Sequence, residues 1–241
     1  MKVTELRARI VGYIHAGHNV QEAFVATLTE DERQAEGTWE RWSAKDVVAH
    51  VTSWKSRRLL SLDAIARGEE VPVFDMDGTN AQTWEEQHRR SWEDVLAEEV
   101  RVVPALIAHV ERLSADDLTE RDRFPLPSQP LAGLLVRNAY THPLVHITEH
   151  ARQRGQMERA IELQTEGARA LSAMADYPEL EGAARYNLAC CYALASQPER
   201  AIPELRRALA LNPALVQNAR EDADLASLRA MPDYQALVAG A

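Results

Sequence analysis

Three histidines, His142, His146 and His150, recur at intervals of four residues, and His50 stands far upstream among apolar residues. Side chains four apart on a helix sit one above the other, so two imidazoles of such a series can reach one ion. A third imidazole from a facing helix would complete a three-nitrogen metal site with a coordination position left open, the arrangement of a catalytic centre rather than a structural one. The series contains two overlapping pairs, His142 with His146 and His146 with His150. A helix turns by about 80° between residues 142 and 150, so only two of the three can comfortably share an ion. Zinc, nickel, iron and manganese all accept imidazole, and residue types alone do not choose among these divalent metals.

Blander roles compete with this one. His50 could be a buried histidine hydrogen-bonded to a carbonyl or to the Asp46 carboxylate one turn earlier, and His142 and His146 could be surface polarity beside a bend at Pro143. His15 and His18 read as surface or bend positions, and His88 and His109 as solvated or structural. Of the five tryptophans, Trp54 lies one turn from His50 and could wall a pocket. Cys190 and Cys191, the only cysteines, are adjacent in sequence and read as packing residues, since nothing local supplies the base or positive charge a reactive thiol needs. They can form neither a disulfide framework nor a thiolate zinc knot. No glycine-rich phosphate loop, dinucleotide fingerprint or Gly-x-Ser-x-Gly elbow is present, which argues against nucleotide chemistry and serine hydrolysis.

The elements that must position these residues are helices. Period-3.6 patterning dominates and no turn-bounded alternation of period two is found, so the chain reads as all-α. Leu6, Ile10, Tyr13, Gly17, Val20, Phe24 and Leu28 follow the three-four repeat of a bundle seam, although Gly17 and Asn19 weaken the helix. Ser43, with Asp46 three residues on, is an N-cap for a second helix over about Ala44 to Ala66. On it Val47, His50, Val51 and Trp54 share a face, with Lys55, Arg57 and Arg58 largely elsewhere. Residues 67–80 carry Gly68, Pro72 and Asp77-Gly78 and read as a loop. A third helix then buries Trp92, Leu96, Val103, Leu106, Val110 and Leu113, with Pro104 kinking it. After a proline-rich connection over residues 124–130, a fourth helix starts near Leu131 and carries Leu135, His142 and His146 on nearly one side, bending at Pro143.

Beyond Arg154, Gln156-Met-Glu-Arg-Ala-Ile161 is echoed 41 residues later by Gln197-Pro-Glu-Arg-Ala-Ile202. Repeats of this length signal helix-pair arrays. Leu188, Ala189, Tyr192, Ala201, Leu205, Ala208 and Pro213 fall at tetratricopeptide (TPR) spacings, with Arg185 where Trp is usual, and residues 212–238 resemble a capping segment. One full repeat is too few to stand alone, so it is expected to pack onto the bundle.

Residues 1–155 resemble the DinB-like four-helix bundle superfamily, particularly its ClbS/DfsB-type branch. The resemblance is carried by Trp42-Ser-Ala-Lys-Asp-Val-Val-Ala-His50 opening helix two, Asp77-Gly-Thr-Asn80 leading into helix three, and His142-Pro-Leu-Val-His146 followed by Gly155-Gln156. It implies a DinB-like bundle over 1–155 and a TPR-like module with its cap over 156–241. In metal-binding members a helix-two histidine and a His-x-x-x-His pair in helix four hold a divalent ion. Carried over, these are His50, His142 and His146, with His150 as a substitute ligand or a group supporting one from behind. Characterised relatives include metal-dependent transferases and isomerases that work with low-molecular-weight thiols, and the ClbS/DfsB-type branch includes proteins that act on reactive small molecules without the full triad.

The expected function is therefore a metal-dependent transferase or hydrolase that activates a thiol or water against a small electrophile. The alternatives are a non-catalytic scaffold using the TPR-like module to bind a protein partner, or a metal-free toxin-resistance protein. The net charge of −10 is spread along the chain and forms no basic face, which argues against nucleic acid. No apolar run approaches the roughly 20 residues that cross a bilayer, and residues 1–20 lack a signal layout, so a cytoplasmic protein with no membrane partner is expected. The architecture also permits a homodimer through bundle helices.

Overall fold

The computed structural model describes residues 2–74, 76–121, 124 and 130–239. These are helical without a strand, apart from one isolated bridge between Thr38 and Arg41. The elements are α1 (Val3–Ala26), α2 (Glu30–Gln34), α3 (Ala44–Arg67), α4 (Met76–His88), α5 (Trp92–Val110), α6 (Ala115–Thr119), α7 (Leu131–Val136), a π turn (Arg137–Thr141), α8 (His142–Gln153), α9 (Met157–Leu171), α10 (Pro178–Leu194), α11 (Pro198–Leu211), α12 (Leu215–Glu221), a 3-10 segment (Ala223–Leu228) and α13 (Pro232–Ala239). The chain divides into two compact units, Met1–His150 and Ala151–Ala241.

In the first unit, α3 packs against α4 and α5, and α1 packs against α5, α7 and the π turn. Ser43 caps α3 as its position predicts: its hydroxyl accepts from Asp46 N–H, and the Asp46 carboxylate accepts from the Ser43 backbone in return. At the other end Gly68 takes a left-handed φ of 66°, and Glu69 N–H bonds Ala64 O to close the helix. The bounds of α3 are thus set by two local signals that lie in the sequence.

The stretch expected to form one helix after Asn80 forms two. α4 begins at Met76, inside the expected loop, and Ser91 starts α5 afresh by accepting from Asp94 N–H. The restart puts Val95 in the core, where Leu96 was expected, and leaves Leu96 half-buried. Pro104 lies inside α5, which continues through it. Most of the proline-rich connection expected over 124–130 lies outside the described residues.

The fourth expected helix is helical from Leu131 to Gln153 but contains the π turn. Pro143 has no N–H to offer Ala139 O in an α-helical turn. At the turn the His142 N–H reaches Arg137 O, five residues back, and Thr141 Oγ1 donates to the same carbonyl. The turn lies against α1 at Gly17, where a Cβ would come within 1.8 Å of Ala139 O. Gly17 therefore does not interrupt α1; it admits the neighbouring backbone.

In the second unit α10 packs against α9, α11 and the 3-10 segment. The repeated hexapeptides occupy the same place in two turns. Gly155 and Ser196, 41 apart, both have positive φ, 73° and 57°. Gln156 N–H bonds Ala151 O, and Gln197 N–H bonds Tyr192 O. Ala160 and Ala201 are both fully buried one turn into α9 and α11.

Gly17→Ala should cost about 1–3 kcal/mol because the methyl has no room. Gly12→Ala, on the same helix with nothing within 4 Å, should gain about 0.5–1 kcal/mol. Urea unfolding of the two variants checks the contrast, and equal stabilities would remove the close-approach role of Gly17.

Candidate metal centre

His50 stands on α3 one turn beyond Asp46, and His142 and His146 occupy the first two turns of α8. Their Nε2 atoms converge: His142 Nε2 lies 3.1 Å from that of His50 and 3.0 Å from that of His146. Three nitrogens bound to one ion at about 2.0–2.1 Å stand roughly 2.9–3.4 Å apart for ligand angles between octahedral and tetrahedral. The separations fit that span.

Hydrogen bonding alone does not satisfy this meeting of rings. His142 Nε2 either carries one proton or offers one lone pair, so it can serve only one of its two neighbours. The remaining contact sets like against like. A cation accepting all three lone pairs resolves the conflict, so the donor set fits a metal ion. The Nδ1 of His142 is buried with no hydrogen-bond partner among the described residues, so the outer support common behind ligating histidines is missing there.

Electrostatics keeps the rings neutral. Burial, then the neighbouring His146 and Arg57, pushes His50 down to about 3. Burial takes His146 down to about 4. His142 lies well below the usual imidazole range through burial, its two partner histidines, Arg137 and Lys55. Neutral imidazoles bind a metal without first losing a proton.

Aromatic rings enclose the centre. Trp42, just ahead of α3, stacks on His146 at 5.3 Å and 16° and sits 4.6 Å from the His50 ring. Trp54 stands edge-on to His142 at 6.3 Å, held by its Nε1–H to Asn80 Oδ1 at 3.0 Å. A small cleft runs from His50 along Asp46 and Trp42 to Trp84 and His88. The Nδ1 of His88 lies 3.3 Å from Asp46 Oδ1, Trp84 stacks on its ring at 4.5 Å, and Lys45 Nζ bonds its carbonyl. His88 thus forms a carboxylate-oriented pair beside the centre, a placement its sequence context does not signal because the partners lie 42 residues apart on different helices.

The remaining histidines stay outside. His150 is buried, with its ring edge-on to Phe24 at 5.1 Å. His18 lies 3.4 Å from Glu99 and 3.5 Å from Glu22, and His109 pairs with Asp63 at 2.9 Å. Within the bundle, Lys55 and Glu99 form a buried ion pair joined by Gln21 and Thr52. Sequence patterning sets Lys55 and Arg58 off the apolar face, yet they are 1% and 8% exposed. Both continue the Val47, Val51 stripe at three- and four-residue steps, a signal that charge masks.

Cys190, Asp222 and Asp224 in the second unit also lie close together. There Arg152 donates two bonds to Asp224, while Tyr186 and the Asp224 backbone donate to Asp222. Those carboxylates already have their donors, and burial first, then Asp222, raises the Cys190 thiol well above its usual range. Both cysteines are buried, and Cys190 is held protonated.

A family model described as the DinB superfamily matches residues 13–157, more than half of the 241 and inclusive of all three converging histidines. No curated protein and no solved structure matches the chain.

The depressed pKa values set a pH dependence for the metal-free protein. The unfolded chain takes up protons as pH falls through about 6.5, whereas folded His146 and His50 wait until about 4 and 3. Stability is therefore full above pH 6.5 and declines as pH falls towards 4. Denaturant titrations of chelator-treated protein should show this slope, and a His50→Leu variant should show less of it. An unchanged slope in that variant would contradict the assignment.

Proposed function

The chain belongs to the DinB superfamily, whose members often bind a divalent metal, and on that premise we propose that it is a metal-dependent enzyme with His50, His142 and His146 as ligands. The observation that carries this reading is the approach of two Nε2 atoms, of His50 and His146, to His142 Nε2 at 3.1 and 3.0 Å, a contact that neutral imidazoles cannot satisfy by themselves. An ion held by three neutral ligands keeps its full charge and lowers the pKa of a thiol or water placed beside it.

The chain's own residues supply the rest. With Nδ1 of His88 donating to Asp46, Nε2 remains as the ring's acceptor, on the cleft that also contains His50. We assign it the proton released by the thiol or water, with Asp46 holding the ring in the accepting tautomer. Trp42 and Trp84 wall the cleft with apolar surface, which strengthens charge interactions beside it. The substrate class is a small electrophile attacked by that thiol or water. The ClbS/DfsB-type likeness supplies the alternative, metal-free action on a reactive small molecule.

For the second unit we read the repeated turn at Gly155-Gln156 and Ser196-Gln197 as a TPR-like helix pair, a surface suited to a protein partner. This role is independent of the histidines.

Elemental analysis of untagged protein should find close to one divalent ion per chain. His50→Ala and His146→Ala should each weaken binding by more than the roughly 10–100-fold typical of losing an outer-shell group. His150→Ala should leave it intact. A wild type that takes up none of added zinc, nickel, iron or manganese would end the metal reading and leave the metal-free one. Where an electrophile turns over, His88→Gln should lower kcat by about 10²–10⁴-fold with metal content unchanged; loss of metal in that variant would instead make His88 a structural support.

A further inference from the structure

Arg58 is a buried cation that no anion meets among the described residues. Its residue is 8% exposed, its Nη1 is shut off from solvent with no hydrogen-bond partner, and its Nε donates to Asn138 Oδ1 at 3.2 Å. The chain carries 37 acidic residues, yet none pairs with it among the described residues. After burial, the influence on Arg58 is that of another cation, Arg137, the first residue of the π turn and the neighbour in sequence of its partner Asn138. Burial and that like charge bring Arg58 down only to about 10, so it keeps its charge at neutral pH. An isolated buried charge is strongly unfavourable, and a second cation beside it makes matters worse.

Arg137 is exposed, while its carbonyl is pinned by the His142 N–H and by Thr141 Oγ1, so its backbone is fixed. Asn138 spends its Oδ1 on Arg58 and keeps its Nδ2 amide as a donor. The buried Arg58 fork and the Asn138 amide N–H₂ complement the oxygens of an anion, and the Arg137 charge felt there would add to its attraction and repel a metal ion.

We propose that Arg58, Arg137 and Asn138 form a binding site for an oxyanion, a carboxylate or phosphate group that supplies the missing counter-charge. Eight residues separate Arg58 from His50, about 12 Å along α3. Asn138 lies one turn before His142 and the Arg137 charge is felt at that ring, so the site borders the histidine centre while using none of its three rings.

The test uses the metal-free full chain, with thermal unfolding followed against inorganic phosphate and, separately, acetate, each matched in ionic strength with sodium chloride. Wild type should show a saturable rise in Tm with at least one of them. Phosphate as the tighter ligand identifies a phosphoryl group, and acetate a carboxylate. Arg137→Ala, a surface change, should weaken the response by about tenfold or more, the worth of a charge-assisted bond. Arg58→Met should abolish it and, in anion-poor buffer, be no less stable than wild type, because it removes an uncompensated charge. A wild-type Tm that follows ionic strength alone, or variants that respond as wild type does, would overturn the proposal. A merely structural arginine would instead make Arg58→Met destabilised in every buffer.

Discussion

The contact of Gly17 with the Ala139 carbonyl is the constraint on which the bundle's chemistry rests. Pro143 denies the fourth bundle helix an N–H, and the backbone answers with a π turn, which inserts an extra residue and rotates the rest of the helix. That widened turn needs space, and the absence of a side chain at Gly17 provides it. His142 and His146 follow directly on this turn, with their Nε2 atoms brought to His50. Had the helix remained α throughout, the face that carries Leu135 would have continued on a different azimuth. A glycine on α1 and a proline on α8 thus act together on the placement of two histidines.

The bundle interior is unusually polar around this point. Lys55 and Glu99 are buried together, with Gln21 and Thr52 filling their remaining hydrogen-bond positions. Such a pair seldom stabilises more than apolar residues of the same volume, because desolvation offsets attraction. Burial accordingly dominates at Lys55 and lowers its pKa despite the carboxylate beside it. The charges that remain impose a direction on the interior: the influences that hold His50 and His142 neutral include Arg57, Arg137 and Lys55, all cations.

Much of this is legible in the sequence where local chemistry decides the outcome. The Ser43 cap and Gly68 locate α3 to within a residue or two, the three-four seam marks α1 without fixing its ends, and the hexapeptide echo marks two equivalent turns. Spacing of four puts His142 and His146, or His146 and His150, on a shared face; the choice of the first pair and of His50 as the third ring comes from the DinB likeness, and the three rings do converge. The hidden features depend on contacts distant in sequence. The separation of α4 from α5 turns on one Ser91 cap within a continuous helical pattern. His88 gains its meaning from Asp46 on another helix. Lys55 and Arg58 lie on the apolar stripe by spacing, but charge argues for the surface, and only partners such as Glu99 and Asn138 overrule it.

The distribution of positive charge bears on which ligand the centre would favour. A bare divalent ion among Arg57, Lys55 and Arg137 is opposed by their field, whereas three imidazole lone pairs attract it over bonding distances. If His50, His142 and His146 held such an ion, an anion beside it would be attracted both by the ion and by the nearby cations. These three neutral rings would then supply Lewis-acid chemistry without spending the ion's charge, which would favour a thiolate or hydroxide over its protonated parent. A carboxylate in place of one histidine would weaken that preference by spending part of the ion's charge. Lys55 is already paired with Glu99, so Arg57 and Arg137 are the cations that would add to this preference.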